Sequence, residues 1–307
     1  MKEEFECNLI NNYFVSVVEW VSDAYFFTYI VTITLNLVLF LLIILRKQLH
    51  KPVYIFLAYL LLMDIIGSTT VLPRLMYSII INNQTRISLC FIQAFFISFY
   101  AAMETYILGI MAIDRYLAVC HPSQSDLGHT VWCLLTTSVY PMLLLERTFC
   151  KDVLPNVGCV FIAVAKLSCE DITVNSMYGI AMTSIIFAYI IAIVFITYGL
   201  ILYECLCSAK DSEGRSKALH TCVTHCMVLS LFLFSFLFSV ISLRLSAGKS
   251  FSHVFKHTSD SMIYLLQPLA NPIIYGFRMT EIRHSFLMLH KMIMQKFVTL
   301  EFSQWTA

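Results

Sequence analysis

The stretch CFIQAFFISFYAAMETYILGIMAIDRYL, residues 90–117, is an apolar run that contains one glutamate, Glu104, and ends on the pair Asp114 and Arg115. A helix needs about 20 mostly apolar residues to cross a bilayer, and this run exceeds that length. A helix that is apolar on every side is stable only inside a large core or in lipid. The stretch therefore predicts a membrane-spanning helix with a charged pair at one end.

The whole chain has the same apolar character. Of its 307 residues, 59% are hydrophobic and only 13% are charged, well beyond an ordinary soluble domain. The net charge is +1 and the basic residues are scattered, which argues against a nucleic-acid partner. The N-terminus, MKEEFECNLI, lacks a basic segment, an apolar core and a cleavage site, so no removable signal peptide is expected.

Seven apolar segments follow one another along the chain. They are residues 24–45, 53–80, 90–117, 131–145, 173–204, 218–244 and 258–277. The fourth is short and is followed at once by Glu146 and Arg147, so it must borrow neighbouring residues or distort the bilayer. We therefore predict an all-α membrane protein, a bundle of seven transmembrane helices. Kinks rather than helix ends are expected at the prolines within or near these segments, Pro73, Pro141, Pro268 and Pro272.

The cysteines orient this bundle better than the basic residues do, because the positive-inside bias is weak. With the N-terminus outside, four cysteines lie on the oxidising side, where disulfides persist. They are Cys90, Cys150, Cys159 and Cys169. Four cysteines allow three pairings, among which the sequence does not choose. A zinc site is the competing hypothesis, but CxxC pairs and nearby histidines are lacking.

The expected organisation is an extracellular N-terminus (1–23), a seven-helix domain (24–277) and a cytoplasmic tail with a short amphipathic helix (278–307). Asn83, in Asn-Gln-Thr, is an external glycosylation candidate.

Two carboxylates lie deep within apolar segments, Asp64 in the second and Glu104 in the third. An ionised carboxylate at such a depth costs roughly 2.5–3.5 kcal/mol on insertion scales. One hypothesis is that both are protonated or hydrogen-bonded to polar neighbours such as Asn36 and Asn271. The other is that they hold a cation such as sodium, or a water cluster, between them. The sequence leaves both open.

Five motifs occur in order along these segments: LHKPVYIFLAYLLLMD (49–64), MAIDRYLAVCHP (111–122), AKLSCEDITVNSMYG (165–179), KALHTCVTHC (217–226) and PLANPIIYGFR (268–278). Together they resemble the olfactory receptors of the rhodopsin-like (class A) G-protein-coupled receptors, most of all the fish-type odorant receptors. Glu104 is a further mark of that family. The resemblance implies a receptor, not an enzyme, that binds a small odorant and activates a heterotrimeric G protein of the olfactory Gs type. It also implies the plasma membrane of sensory cilia.

The resemblance assigns activation and G-protein coupling to one set of residues. They are Asp114, Arg115, Tyr116, Tyr198, His225, Asn271, Pro272 and Tyr275. Asp114 is expected to hold Arg115 at rest, and Tyr198 and Tyr275 are expected to turn toward Arg115 when the sixth helix moves. The alternative for the charged pair is an interfacial anchor, although exposed ion pairs contribute only about 0–1 kcal/mol. For His225, a packing role is favoured over a role as a proton sensor.

The resemblance also implies two disulfides and a ligand cavity. Cys90 is expected to pair with Cys159, and Cys150 with Cys169. The odorant is expected among the third, fifth, sixth and seventh helices, below the loop that these bonds restrain. The expected lining residues are Ile97, Ser98, Ala101, Met182, Ile186, Phe236, Val240 and Tyr264. Such a lining, mostly apolar with a few hydroxyls, is typical of small-molecule sites, although apolar residues on membrane helices also simply pack.

The sequence departs from the family pattern after Pro122, where it reads SQSDLGHTVWCLL, and the segment up to Cys150 is shortened. The alternatives within the receptor class are therefore a receptor with impaired coupling, or a rhodopsin-like receptor for another endogenous ligand. A transporter is disfavoured because paired, glycine-interrupted helices in two halves are lacking. A membrane enzyme is disfavoured because the sequence has no HExxH or GxSxG motif.

Overall fold

The computed structural model describes residues 2–80, 86–120, 128–145, 147–150, 159–207, 212–245 and 253–305, and in parts of these ranges, such as 2–19 and 115–120, only the backbone. Its helices are α1 (Lys2–Leu45), α2 (Pro52–Ile80), α3 (Ile87–Cys120), α4 (Gly128–Leu145), α5 (Phe161–Ala165), α6 (Thr173–Cys207), α7 (Ser212–Leu245), α8 (His253–Arg278) and α9 (Thr280–Trp305). The seven predicted segments lie in α1, α2, α3, α4, α6, α7 and α8. The prediction of a seven-helix bundle is confirmed.

Within the described residues, five helices are by themselves long and apolar enough to cross a membrane. Their spans are Trp20–Leu45, Pro52–Tyr77, Ile87–Asp114, Thr173–Leu200 and Cys222–Ser239. The described side chains of α4 include the apolar stretch Leu134–Leu144, which is part of the apolar segment 131–145 of the sequence, and α8 carries the buried polar residues Gln267 and Asn271.

The helix α3 occupies the middle of the bundle and contacts α2, α4, α5, α6 and α7, while α8 packs against α1, α2 and α7. The central cluster is the group of buried apolar residues where these helices meet. Its fully buried members include Leu57, Tyr100, Met111, Phe232 and Tyr275. Because lipid tails are as apolar as these side chains, close van der Waals packing, rather than exclusion of water, stabilises such a cluster in a membrane.

The helices continue through their prolines, as predicted. Pro268 and Pro272 both lie inside α8. A proline inside a helix leaves the carbonyl four residues earlier without its amide donor. Side chains of neighbouring helices fill both gaps: Ser68 donates to the Tyr264 carbonyl at 3.2 Å, and Asn36 donates to the Pro268 carbonyl at 2.7 Å. The two prolines therefore join α8 to α1 and α2.

The two ends of the chain differ from the sequence expectation. The sequence places the segment 1–23 before the first helix, but α1 already begins at Lys2. The sequence predicts a short amphipathic helix in the tail, whereas α9 has 26 residues. This helix begins directly after Met279, and the Met279 amide still donates to the Tyr275 carbonyl at 3.0 Å. The α8 hydrogen-bond pattern thus continues almost without a gap into α9.

Candidate functional site

Two disulfides mark one end of the bundle, which we call the disulfide end. The structure joins Cys90, at the start of α3, to Cys159, with Cα atoms 5.1 Å apart. It joins Cys150 to Cys169, with Cα atoms 5.2 Å apart. These are the pairs that the resemblance implies. All four thiols are consumed, and the described residues contain no group of three His, Cys, Asp or Glu side chains suited to a metal ion, so the zinc hypothesis has no ligands here.

The short helix α5 is part of the loop that these disulfides restrain, between Cys159 and Cys169. Its residues Phe161, Val164 and Ala165 are buried together with Cys90 and Cys159. The ring centroid of Phe161 is 4.5 Å from that of Tyr140 in α4. The neighbouring Val160 packs against the central cluster. The loop therefore covers the bundle and contacts its core directly.

A polar side chain of α3 fixes the cover to α2. The Gln93 side chain donates to the Thr70 carbonyl at 3.0 Å and accepts a hydrogen bond from the Cys159 amide at 3.2 Å. Both ends of the amide are thereby used in a largely buried position. The sequence motifs do not point to Gln93. The signal in the sequence that could have indicated Gln93 is its position as a lone glutamine in an apolar helix, three residues after Cys90.

A charged cluster closes the outer edge of the cover; we call Arg147, Thr148 and Glu170 the loop cluster. Arg147 Nη1 donates to Glu170 Oε2 at 2.8 Å, and the Thr148 amide and hydroxyl donate to Glu170 Oε1 at 3.1 and 3.0 Å. The Thr148 hydrogen bonds, foremost that of its amide, and then Arg147 lower the pKa of the Glu170 carboxyl. An antiparallel bridge between Phe149 and Ser168 lies beside the second disulfide. The Glu170 carboxylate therefore stays ionised at neutral pH.

Aromatic side chains of α3, α6, α7 and α8 form pairs inside the bundle. The rings of Tyr100 (α3) and Tyr264 (α8) have centroids 5.7 Å apart. The ring of Phe236 (α7) lies 5.0 Å from Phe187 (α6) and 5.8 Å from Phe232. Aromatic contacts at these distances prefer tilted and offset geometries. Two of the predicted lining residues, Tyr264 and Phe236, thus take part in aromatic contacts between helices.

The predicted ligand-binding residues fall into three groups in the structure. Ile97, Phe236 and Tyr264 belong to the central cluster or pack against it. Four others are half-buried on α3 and α6, outside that cluster: Ser98, Ala101, Met182 and Ile186. The side chain of Val240 lies outside the described part. Three aromatic residues outside the predicted set contact its members: Tyr100 contacts Tyr264, and Phe187 and Phe232 contact Phe236.

A hydrogen-bond chain runs through the centre of the bundle. The Asn271 side chain donates to Asp64 Oδ2 at 2.8 Å, and Gln267 donates to Asn271 Oδ1 at 2.9 Å. Asn36, which caps the Pro268 carbonyl, is buried on α1. The side chains of Asn36, Asp64, Gln267 and Asn271 have no exposed surface. Asp64 is thus bonded to one of its two expected polar neighbours, and Gln267, one helical turn before Asn271, adds a member that the sequence does not suggest.

Glu104 is also fully buried, on the face of α3 that bears Tyr100 one turn earlier. Within the described residues, Asp64 Oδ1, Asn36 Oδ1 and Gln267 Oε1 have no hydrogen-bond partner, and the two oxygens of Glu104 have only contacts outside strict hydrogen-bond geometry, with Tyr100 and Asn271. A buried carboxylate without a partner is costly, so such groups are protonated, paired or hold a cation. These five buried oxygens come from four helices and are of the type that coordinates a hard cation.

The opposite end of the bundle, which we call the Asp114 end, holds the predicted activation residues. His225 of α7 and Tyr275 of α8 are buried and bonded to each other, with Nδ1 and the hydroxyl 3.2 Å apart. Tyr198 of α6 packs against the central cluster, and Asp114 is half-buried on α3. The side chains of Arg115 and Tyr116 lie outside the described part, so the expected contact between Asp114 and Arg115 stays a prediction.

Comparison with known proteins gives consistent results. A family model described as olfactory receptor matches residues 25–296. The human olfactory receptor 8B12 is 33% identical over 273 residues, covering 83% of this chain and 85% of the relative. The human olfactory receptor 1J4 is 32% identical over 281 residues, covering 85% and 88%. The crystal structure of squid rhodopsin superimposes with a TM-score of 0.68 at 15% identity, covering 91% of this chain and 86% of that one. The rhodopsin likeness concerns the fold.

Proposed function

Because the chain belongs to the olfactory receptor family, we propose that it binds a small organic odorant below the covering loop and activates a heterotrimeric G protein at its Asp114 end. As a member of this family it is a multi-pass receptor of the plasma membrane and not an enzyme. The observation that carries the detailed proposal is the pair of aromatic contacts between helices, Tyr100 with Tyr264 and Phe187 with Phe236, in which two predicted lining residues take part.

The odorant site lies between α3, α6, α7 and α8. Ile97, Phe236 and Tyr264 supply apolar contact, and Ser98, Ala101, Met182, Ile186 and Val240 complete the lining. Ser98 is half-buried on α3, so its hydroxyl can orient a carbonyl or hydroxyl of the ligand. A mostly apolar lining with few directed polar groups favours small, moderately polar organic molecules.

Activation is the transfer of a ligand-induced change from this site to the other end of the bundle. The ring of Phe236 contacts the ring of Phe232 on the same face of α7. Further along α7, His225 is bonded to Tyr275. A displacement of α7 therefore alters the ligand site and the His225–Tyr275 contact together. Arg115, Asp114, Tyr116 and Tyr198 then form the surface that the G protein binds, with Asn271 and Pro272 shaping the end of α8.

A sodium ion bound between Asp64 and Glu104 is the second part of the proposal. The support is the set of unsatisfied buried oxygens, which includes those of Asn36 and both carboxylates, together with the placement of Asn271 against Asp64. Substituting Asp64→Asn and Glu104→Gln, separately and together, is expected to remove the dependence of signalling on sodium concentration. Unchanged sodium dependence in the double variant would leave only hydrogen bonding and packing for these carboxylates.

The proposed topology places the disulfide end and residues 1–23 outside the cell and residues 278–307 inside. This orientation puts both disulfides in the oxidising compartment. It also makes Asn83, which lies outside the described residues, accessible for glycosylation. Delivery to the cilia of sensory neurons follows from the family role.

The experiment is a cAMP reporter assay in cells that carry surface-labelled receptor, challenged with a panel of water-soluble odorants beside Arg115→Ala. We expect at least one odorant to raise cAMP, and Arg115→Ala to abolish both that response and the basal signal. The matched pocket variants Phe236→Ala and Tyr264→Phe are expected to shift the effective odorant concentration while preserving surface delivery.

Two outcomes separate the alternatives. A receptor that reaches the surface, ignores every odorant and has a basal signal indifferent to Arg115→Ala would contradict coupling, and would favour a coupling-impaired receptor. A basal signal that depends on Arg115, with no odorant response, would instead favour a receptor for another endogenous ligand. In that case the coupling half of the proposal stands and the ligand class is replaced.

A further inference from the structure

Arg278, the last residue of α8, extends its side chain across to α7. Its Nε donates to the Thr224 hydroxyl at 3.3 Å, and its Nη2 donates to the His220 carbonyl at 3.5 Å. The Thr224 hydroxyl donates to the same carbonyl at 2.9 Å. A guanidinium, a hydroxyl and a backbone carbonyl thus form a closed set of three hydrogen bonds, two of which join α8 to α7.

We propose that Arg278 is a positioning residue for activation, which holds α7 against α8 through Thr224 and releases it when the G-protein surface opens. The inference rests on the proposed function, in which movement of α7 is the output of ligand binding. It adds a contact outside the set of activation residues that the family motifs supply.

The geometry favours a contact that controls the position of α7. Arg278 lies one helical turn after Tyr275 on α8, and Thr224 directly precedes His225 on α7, so the two interhelical contacts are neighbours along the same interface. Two such contacts resist both rotation of α7 about its axis and displacement away from α8.

The two contacts differ in how easily they can break. His225 and Tyr275 are buried, whereas Arg278 is only half-buried and His220 is exposed. Thr224 is itself fully buried, so water reaches this contact from the Arg278 side, and the net contribution of such hydrogen bonds is modest. A modest contact whose guanidinium is open to water at the end of a helix is suited to opening and closing, and the buried pair then determines how far α7 moves.

The test uses basal cAMP without odorant, normalised to surface receptor. Thr224→Val replaces the hydroxyl with a methyl group of similar shape and is expected to raise basal cAMP about two- to tenfold, the equilibrium shift that loss of one hydrogen bond produces. Thr224→Ser keeps the hydroxyl and should restore the wild-type level. Arg278→Lys keeps the charge at the end of α8 but loses the forked donor, and should raise the signal as Thr224→Val does.

Two further variants make the test specific. Because both residues serve one contact, Thr224→Val combined with Arg278→Lys should raise the signal no further than either change alone. Thr197→Val is the matched control, since the Thr197 hydroxyl donates to the Ile193 carbonyl of its own helix at 2.6 Å. It should leave basal cAMP unchanged.

A second measurement needs no G protein. Cys222 is buried on α7, two residues before Thr224, so its rate of alkylation in isolated membranes, followed by peptide mass spectrometry, reports displacement of α7. The rate should rise in Thr224→Val and stay at the wild-type value in Thr224→Ser. If Cys222 alkylation rises in Thr224→Val but no variant gives a cAMP signal, the result supports the contact between α7 and α8 and contradicts the proposed G-protein coupling.

Two results would overturn the inference. One is a Thr224→Val receptor at the cell surface with unchanged basal cAMP and unchanged Cys222 alkylation. The other is a change of signalling in Arg278→Lys alone, with Thr224→Val like wild type, because Arg278 would then act by touching the G protein rather than through α7.

Discussion

At the scale of single residues, Gly67 allows α2 and α3 to approach closely. A Cβ atom added at Gly67 would lie 2.5 Å from Cδ2 of Tyr100, whose ring is fully buried. The ring cannot move aside without disturbing the central cluster. We expect Gly67→Ala to lower the free energy of unfolding by about 1–3 kcal/mol, as overpacking of a filled core does. Thermal unfolding of the purified receptor in detergent measures it.

Gly179→Ala on α6 is the matched control for this prediction. No heavy atom lies within 4 Å of a Cβ at that position, and alanine is the better helix former. Its thermal stability should equal or exceed that of the wild type. Equal midpoints for Gly67→Ala and the wild type would show that Tyr100 can move and that the approach of the two helices is not constrained there.

The same residues explain how far the sequence predicts the structure. Apolar length and periodicity belong to each helix by itself, so the seven segments are predictable. Contacts such as Gly67 with Tyr100, or Arg278 with Thr224, depend on which faces of two helices meet. The sequence of a single helix does not determine its neighbours, so these contacts are not predictable from it. The disulfides and the set of activation residues come from the family resemblance, because four cysteines alone allow three pairings.

At the scale of elements, the loop cluster makes the cover sensitive to acid. Hydrogen bonds from Thr148, first that of its amide, and then Arg147 lower the pKa of Glu170 from its ordinary value of 4.5. Because the folded-state pKa is the lower one, the stabilisation is fully present above pH 4.5 and is lost as the pH falls through the folded-state pKa. We expect the Thr148 amide to exchange hydrogen faster in Glu170→Gln than in the wild type. The ratio of the two exchange rates should approach one in acid, where Glu170 of the wild type is protonated.

Hydrogen exchange measured at each pH for both proteins gives this ratio free of the intrinsic pH dependence. The control is Asp171→Asn. The Asp171 carboxylate accepts hydrogen bonds from Thr173 and interacts with Arg147 only by charge, so its removal should change exchange at Thr148 far less than Glu170→Gln does. A ratio for Glu170→Gln that is independent of pH would mean that ionised Glu170 does not hold the cover.

At the scale of the whole molecule, α4 limits how well the bundle fits a membrane. It has 18 residues, which is about 27 Å at 1.5 Å per residue, and its apolar segment, residues 131–145, is shorter still. The hydrocarbon core of a bilayer is about 30 Å thick. Other helices prevent α4 from shifting freely, since Tyr178 of α6 donates to the Thr136 carbonyl at 2.9 Å and Asn175 to the Leu143 carbonyl at 3.2 Å.

The bilayer must therefore adapt to α4, at a cost of fractions of a kcal/mol for each ångström of mismatch. We expect the receptor to unfold at a higher temperature in nanodiscs of short-chain than of long-chain phosphatidylcholine. Replacing His129 and Thr130, at the start of α4, with leucine lengthens the apolar part without lengthening the helix, and should shrink that difference. The control is a pair of leucine substitutions at Thr183 and Ser184, which lie inside the full-length span of α6 and should leave the difference unchanged. Equal stability of the wild type in both lipids would mean that its neighbours in the bundle shield α4 from the bilayer.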